Sequence, residues 1–316
     1  RTRGFGTDRV MADDALAGAD VLPETGSVGV MPLAQAAETI EDVVAEGEVA
    51  ASASLLIALD IDGTVLLEDE SLSPGVVDAV KDARAAGHEI MLATGRSWEG
   101  THRILRMLEL TPEYVVCSNG AVILQRNSDA DEGYERVHTE SFDPAAVLVQ
   151  LREHLPDARY MVELPDGHRR YTDPIDDWTL TGAERVPFDE LSGHPVSRVV
   201  VVSPGHAEAD FSKLIEDMGL HQVSYAIGWT AWLDIAPHGV DKSTALERVR
   251  EWLGFEPARV LVMGDGRNDV GMFTWALRNG GRAIAMAQGP DEVRSAAGEV
   301  TTSVQDGGVA AILRTL

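Results

Sequence analysis

From residue 55 onward the chain alternates short apolar runs with amphipathic stretches. Leu55-Leu56-Ile57-Ala58-Leu59 is continuously apolar, the pattern of a strand covered on both faces in a parallel sheet. Val76, Val80 and Ala83 recur at helical spacing behind Ser73 as a capping residue and Pro74 at the first helical position, with Gly87 as the stop. A second buried strand over 90–93 ends at Thr94-Gly95-Arg96, and a helix covers 98–108. A third strand over 114–117 ends at Ser118-Asn119-Gly120. The alternation returns later as a helix over 241–253 stopped by Gly254, then a strand over 260–263 ending at Gly264-Asp265. A helix over 270–277, a strand over 282–286 and a helix starting near Pro290 complete it. Strands alternating with helices in this way specify an α/β fold with a Rossmann-like parallel-sheet core.

The residues between these halves read differently. Strands at 160–164, 198–203, 223–227 and 231–235 are short and partly alternating, with helices at 143–155 and 206–218. That pattern predicts a small α+β domain inserted into the parallel one, giving a core of 53–125 with 237–316 and an insert of 126–236. Residues 1–52 are rich in Ala, Gly, Asp and Glu, contain Pro23 and Pro32, and carry one modest helical pattern over 34–44. Their composition predicts a disordered acidic extension. The alternative is a start placed upstream of the native one, with Met11 or Met31 as the true first residue.

Composition narrows the function classes. The 316 residues suggest two domains on a prior of about 150 each, and 44% hydrophobic content is enough for packed cores. Lys plus Arg number 26 against 52 Asp plus Glu, for a formal charge of −26. So acidic a surface repels phosphate backbones and anionic lipid, which argues against nucleic acid or a membrane as partner. The single cysteine, Cys117, allows no internal disulfide and suits a reducing compartment. No apolar run approaches the roughly 20 residues that span a bilayer. Arg1, Arg3 and Arg9 are followed by Met11-Ala12-Asp13-Asp14 and not by a signal-peptide apolar stretch. The expectation is a cytoplasmic protein.

The candidate chemistry sits where strands end. In open α/β sheets ligands bind beyond the carboxyl ends of the strands, so Asp60, Asp62, Thr94, Asn119, Asp265 and Asp269 should converge. In Asp60-Ile61-Asp62-Gly63-Thr64 a two-residue spacing along a strand sends both carboxylates to one face. Two close carboxylates resist joint ionisation, which yields a nucleophile beside a proton donor. The competing reading is an acidic surface turn, though such turns rarely follow five apolar residues. Gly264-Asp265-Gly266-Arg267-Asn268-Asp269 brings the total to four carboxylates, and all-oxygen ligation of that kind favours Mg²⁺. The nine histidines show no zinc spacing. The Gly264/Gly266 pair is no dinucleotide fingerprint, and Gly239-Val240-Asp241-Lys242-Ser243 is no Walker loop, since Asp241 replaces its glycine. Lys242 is one of only three lysines and opens a helix, where it can hold a phosphoryl group or simply be solvated. Thr94, Gly95 and Arg96 occupy a strand-to-helix junction suited to an anion, with a plain N-cap as the alternative for Thr94.

The order Asp-x-Asp-Gly-Thr, Thr-Gly-Arg, Ser-Asn-Gly-Ala, Gly-x-x-Lys and Gly-Asp-x-x-Asn-Asp resembles the haloacid dehalogenase superfamily over residues 55–316. More narrowly, it is similar to the Cof-type phosphatases, which carry a large α+β cap. The resemblance implies that Asp60 attacks phosphorus to form an aspartyl-phosphate, and that Asp62 protonates the leaving oxygen and then activates water. It implies that Thr94, Gly95, Lys242 and Asn268 hold the phosphoryl group, and that Asn119 and Arg96 line the pocket. Mg²⁺ would be bound by Asp60, the backbone carbonyl of Asp62, and Asp265, with Asp269 nearby. The substrate would be a small phosphate ester of the sugar phosphate, flavin mononucleotide or pyridoxal phosphate type. Two departures stand out: Gln288-Gly289 where the family shows Asn-Ala, placing a substrate-side contact in question, and Ser243 where glycine is common. A phosphomutase and a non-catalytic phosphate-binding module are the other readings. Trp178, Arg169, Arg170, Tyr171, Trp229 and Trp232 are the insert's candidates for substrate contact, with closure on hinges near Arg126 and Pro237.

Overall fold

The computed structural model describes residues 54–174, 180–227 and 231–316; the N-terminal helical pattern, Trp178 and Trp229 lie outside them. The first elements are β1 (Leu56–Leu59), α1 (Val76–Ala85), β2 (Glu89–Leu92), α2 (Trp98–Met107), β3 (Tyr114–Cys117), β4 (Val122–Arg126) and β5 (Tyr134–Thr139). There follow α3 (Ala145–His154), β6 (Arg159–Glu163), β7 (Arg169–Tyr171), β8 (Glu184–Arg185), β9 (Arg198–Val202), α4 (Glu208–Met218), β10 (Val223–Ile227) and β11 (Trp232–Pro237). The chain closes with α5 (Lys242–Leu253), β12 (Val260–Gly264), α6 (Val270–Arg278), β13 (Arg282–Ala285), α7 (Asp291–Ala296), β14 (Glu299–Val300) and α8 (Gly308–Leu313).

Five parallel strands form the central sheet in the order β14-β13-β12-β1-β2. β1 lies inside it, and its register with β12 pairs Leu56 with Val260 through Leu59 with Met263. Both of its faces are covered, which is why the run is apolar throughout. Ile57 and Leu59 pack with Val76, Val80 and Val115, while Leu56 and Ala58 pack with Leu246, Val249 and Phe273. Because the strands are parallel, the residues following β1, β2 and β12 all emerge at one edge, and this alone gathers Asp60, Thr94 and Asp265.

β3 is only loosely joined to the central sheet. It touches the central sheet through a single parallel bridge, Ala93 to Val116, and then pairs antiparallel with β4, which pairs with β5. The boundary expected at 126 thus falls within a hairpin that continues β3. The polar alternation Tyr-Glu-Arg-Val-His-Thr of β5 hid a strand belonging to that side. α1 begins at Val76 behind Gly75, not at Ser73-Pro74. The Ser73 hydroxyl donates instead to the Val304 carbonyl at 2.7 Å, so it is spent on a distant loop and leaves the helix uncapped by a side chain.

The six-stranded sheet, β10-β11-β9-β6-β7-β8, is antiparallel except where β7 meets β8. Its period-2 alternation is clean. Tyr160, Val162, Val199, Val201, Leu233 and Ile235 face α3 and α4 through Leu148, Leu151, Phe211 and Ile215. Glu163, Arg198 and Asp234 take the opposite face, and β10 lies against the 267–269 turn of the central unit. The short strands β7 and β8 were not expected. Among the described residues no helix is long and apolar enough to cross a membrane.

Ile57 is fully buried in the central strand. Ile57→Ala should destabilise the protein by about 2–5 kcal/mol in urea unfolding. Val149→Ala, at a side chain 58% exposed on α3, should stay within about 0.5 kcal/mol. Equal effects would show that β1 is not the packing centre.

Candidate active site

Four buried charged groups meet at the carboxyl edge of the central sheet. Asp60 follows β1, Asp265 follows β12, Asp269 ends the next turn, and Lys242 opens α5. Lys242 is completely buried, which rejects the solvated alternative, and its Nζ donates to Asp60 Oδ1 at 2.6 Å and Asp269 Oδ1 at 2.7 Å. Asp269 Oδ2 accepts from the backbone N–H groups of Asp265 and Gly266, both at 2.9 Å. Asp269 therefore anchors the lysine and shapes the loop that carries Asp265. Asp241, the residue that spoils a Walker pattern, is the N-cap of α5: it accepts from the Thr244 N–H at 3.1 Å, and Thr244 Oγ1 accepts from the Asp241 N–H at 3.2 Å.

One oxygen from each of Asp60, Asp265 and Asp269 lies within 4.8 Å of the others. Three carboxylates face one ammonium, so the cluster is short of positive charge. Burial pushes Asp60 well above the ordinary carboxyl range; Lys242 opposes this, and Asp269, Asp265 and lastly Asp62 add to it. Burial and then Asp269 push Asp265 up to about 7. Burial works against the Lys242 ammonium, but Asp269 and Asp60 outweigh it and raise its pKa. An all-oxygen, electron-rich, buried donor set of this kind fits a hard divalent cation. The space is set by backbone: a Cβ on Gly63 would come within 2.0 Å of the Asp265 carboxylate, and Gly63 has φ +73°.

The second acid behaves differently from the sequence expectation. Asp62 is not part of this cluster: β1 ends at Leu59, and residues 61–66 close a turn through the Ile61 carbonyl, so strand alternation does not govern where Asp62 points. Its side chain, 60% exposed, is held by Arg96 through Nε at 2.8 Å and Nη2 at 2.5 Å. Arg96 also reaches Glu70 at 3.4 Å, and Glu70 is bound by Arg103 at 2.6 Å. The rise in the Asp60 pKa consequently comes first from burial, with Asp62 the smallest contributor.

The remaining predicted residues form a second arc. Thr94 is buried and its Oγ1 accepts from the Arg96 N–H at 3.1 Å, so it shapes its own loop and does not cap α2, whose N-cap position is Ser97. Asn119 carries its amide against Gly95 and accepts from Asn268 Nδ2 at 3.0 Å, which joins the β3 and β12 loops. A Cβ on Gly120, at φ +100°, would meet the Asp241 carbonyl oxygen at 2.0 Å, so the 118–120 turn sits directly on the start of α5. Within the insert, Trp232 Nε1 donates to Asp234 at 3.1 Å, Arg170 pairs with Glu184 at 3.3 Å, and Arg169 is buried beside the Thr181 carbonyl.

From the sequence, the departure at Gln288-Gly289 put a substrate-side contact in question. The structure has Gln288 Nε2 donating to the Gly63 carbonyl at 2.6 Å and to Asp265 Oδ2 at 3.2 Å, while its Oε1 accepts from the Val304 N–H at 3.0 Å. It ties three loops together behind Asp265. The departure from Asn-Ala was the signal for it in the sequence.

A model of the haloacid dehalogenase-like hydrolases matches residues 57–313. The chain is 26% identical to the 5-amino-6-(5-phospho-D-ribitylamino)uracil phosphatase YitU of Bacillus subtilis over 82% of this chain and 96% of that protein. It is 27% identical to the pyridoxal phosphate phosphatase YbhA of Escherichia coli over 77% and 91% respectively. The structure of a subclass IIB sugar phosphatase superposes with a TM-score of 0.65 at 17% identity, covering 83% of this chain and 98% of that one, and so shares the fold.

Two outcomes follow from the electrostatics. A raised Asp265 stabilises the metal-free protein below the ordinary carboxyl range, and that contribution is lost as pH rises through about 7. A divalent cation among these carboxylates would compete with those protons, so calorimetric affinity measured with Mg²⁺ as the probe ion should rise from about pH 6 to about pH 8 with proton release. An affinity flat across that interval would contradict the assignment. Gln288→Ala should weaken Mg²⁺ binding about tenfold, as loss of a group orienting a ligand does. An unchanged affinity would reduce Gln288 to a loop tie.

Proposed function

Because the chain belongs to the haloacid dehalogenase-like hydrolase family, we propose that it hydrolyses small phosphomonoesters with Mg²⁺, through an aspartyl-phosphate on Asp60. The observation that carries this reading is the buried Lys242 bridging Asp60 and Asp269 beside Asp265. Lys242 occupies Asp60 Oδ1 and leaves Oδ2 to attack phosphorus in line with the departing oxygen. Thr94, Gly95, Lys242 and Asn268 receive the phosphoryl oxygens. Asp60, the backbone carbonyl of Asp62, and Asp265, with Asp269 nearby, would hold Mg²⁺, and the ion would offset phosphoryl charge when bound.

Proton movement falls to Asp62. It gives a proton to the leaving oxygen, then takes one from the water that attacks the aspartyl-phosphate, releasing inorganic phosphate and restoring Asp60. To reach the leaving oxygen, the Asp62 side chain leaves Arg96 and takes up a proton from solvent, and this is the proton it donates. The sheet carrying β6, β9, β10 and β11 acts as the cap, an insert bounded by β5 and α5, and supplies contacts to the leaving group. Relatives named for a phosphoribitylamino-uracil and for pyridoxal phosphate, and a fold neighbour named a sugar phosphatase, mark the ester classes to try first. A cytoplasmic location belongs to the same proposal, supported by the lone, buried Cys117.

The test is phosphate release from a panel of sugar phosphates, flavin mononucleotide and pyridoxal phosphate, with and without Mg²⁺. Asp60→Asn should lower the best kcat by roughly a thousandfold or more, because the nucleophile acts as part of a unit with its partners. Undiminished release by that variant would refute the covalent route. Recovery of an isomeric sugar phosphate in place of inorganic phosphate would point to a mutase.

A further inference from the structure

One buried ionisable side chain plays no part in this mechanism. Glu163 ends β6 on the polar face of the six-stranded sheet, fully buried and in register with Arg198 on one side and Arg169 on the other. Its two oxygens reach across to other sheets' residues. Oε1 pairs with Arg136 of β5 at 3.0 Å, and Oε2 accepts from Ser118 Oγ at 3.2 Å. Arg136 forms an ion pair with Glu163, and Arg198, bound by Asp234 at 2.6 Å, also lies within reach of its charge.

The other end of that contact is strained. Ser118 and Asn119 have φ of 51° and 52°, two successive side-chain-bearing residues in the left-handed region. Asparagine tolerates that region, whereas serine has no such preference, so something outside the turn must hold it there. The 94–96 loop holds the turn's backbone: the Ser118 N–H donates to the Arg96 carbonyl at 2.9 Å and the Asn119 N–H to the Thr94 carbonyl at 3.0 Å, which leaves the Ser118 side chain to Glu163. The same turn aims the Asn119 amide at Asn268. A hydroxyl on the strained residue, gripped by a carboxylate from a different sheet, connects the covering sheet to the phosphate loops.

We propose that Glu163 is a positioning residue: through Ser118 Oγ it holds the 118–120 turn in its left-handed form, and so presents Asn119 to the site. The kinetic consequence rests on the phosphatase reading; the conformational one does not. Two measurements therefore run together on the full chain, kcat on p-nitrophenyl phosphate with Mg²⁺ and amide hydrogen exchange. Glu163→Ala and Ser118→Ala should each lower kcat about tenfold with little change in KM, the size of effect a misplaced group produces. Combined, they should do no more than the worse of the two, and Glu163→Ala should add nothing in an Asn119→Ala background. Exchange should quicken at the Ser118 and Asn119 amides in both single variants, with β12 unaffected.

Additive losses in the Asn119→Ala background, or unaltered exchange at those two amides, overturn the proposal. Should Glu163→Ala unfold because Arg136 is left uncompensated, Ser118→Ala, which removes only a hydroxyl, carries both measurements. Should the wild type release no phosphate, the phosphatase reading fails by itself, and the exchange data alone decide the role of Glu163.

Discussion

The architecture turns on one buried ammonium. Lys242 is fully enclosed and bonded to two carboxylates that are themselves buried. Removing such groups from water costs several kcal/mol each, and the cost is recovered only when geometry and further hydrogen bonds are good. Every partner here is consequently anchored. Asp60 is registered by its N–H to the Met263 carbonyl at 3.0 Å, Asp269 by two backbone N–H groups, and Lys242 by a capped helix start. Removing any one of them would leave a charge stranded, so the cluster also fixes the loops that leave β1 and β12.

The contrast with Asp62 is informative for the proposed chemistry. Its pair with Arg96 is half in water, and exposed pairs contribute at most about 1 kcal/mol. The buried cluster is thus a permanent fixture, whereas the Asp62 contact can be exchanged at little cost. A proposed nucleophile should not move and a proposed proton carrier must, and the difference in burial provides for both. It follows that the two acids of one five-residue motif sit in different electrostatic surroundings because the turn beginning at Ile61 separates them, not because of their spacing.

Around that centre the loops are joined pairwise by polar contacts that cross the sheet order. Asn119 meets Asn268, Thr94 shapes the loop that delivers Arg96, and Gln288 bridges Gly63, Asp265 and Val304. None of these contacts is strong alone. Together they make the position of each carboxylate depend on loops from three strands, which is how a site of free-standing loops attains the precision of a packed core.

Much was legible in the chain itself. The apolar run at 55–59 identified a doubly covered strand, parallel order put the strand ends on one edge, and Asp60, Asp62, Asp265 and Asp269 marked that edge as acidic, although only the first, third and fourth form the buried cluster. The start of α5 at Lys242 could also be read, because capping is a local property. What depended on residues distant in sequence could not. Ser73 spends its hydroxyl 231 positions away, β5 is stabilised by pairing and not by its own pattern, and Gln288 finds its partners 225 and 23 positions away. Local propensity and periodicity thus determined the elements and the chemical character of the site. Only tertiary packing decided which carboxylates share a charge, which one faces water, and how Glu163 reaches Ser118, because burial and long-range hydrogen bonds are set by neighbours that the local sequence does not contain.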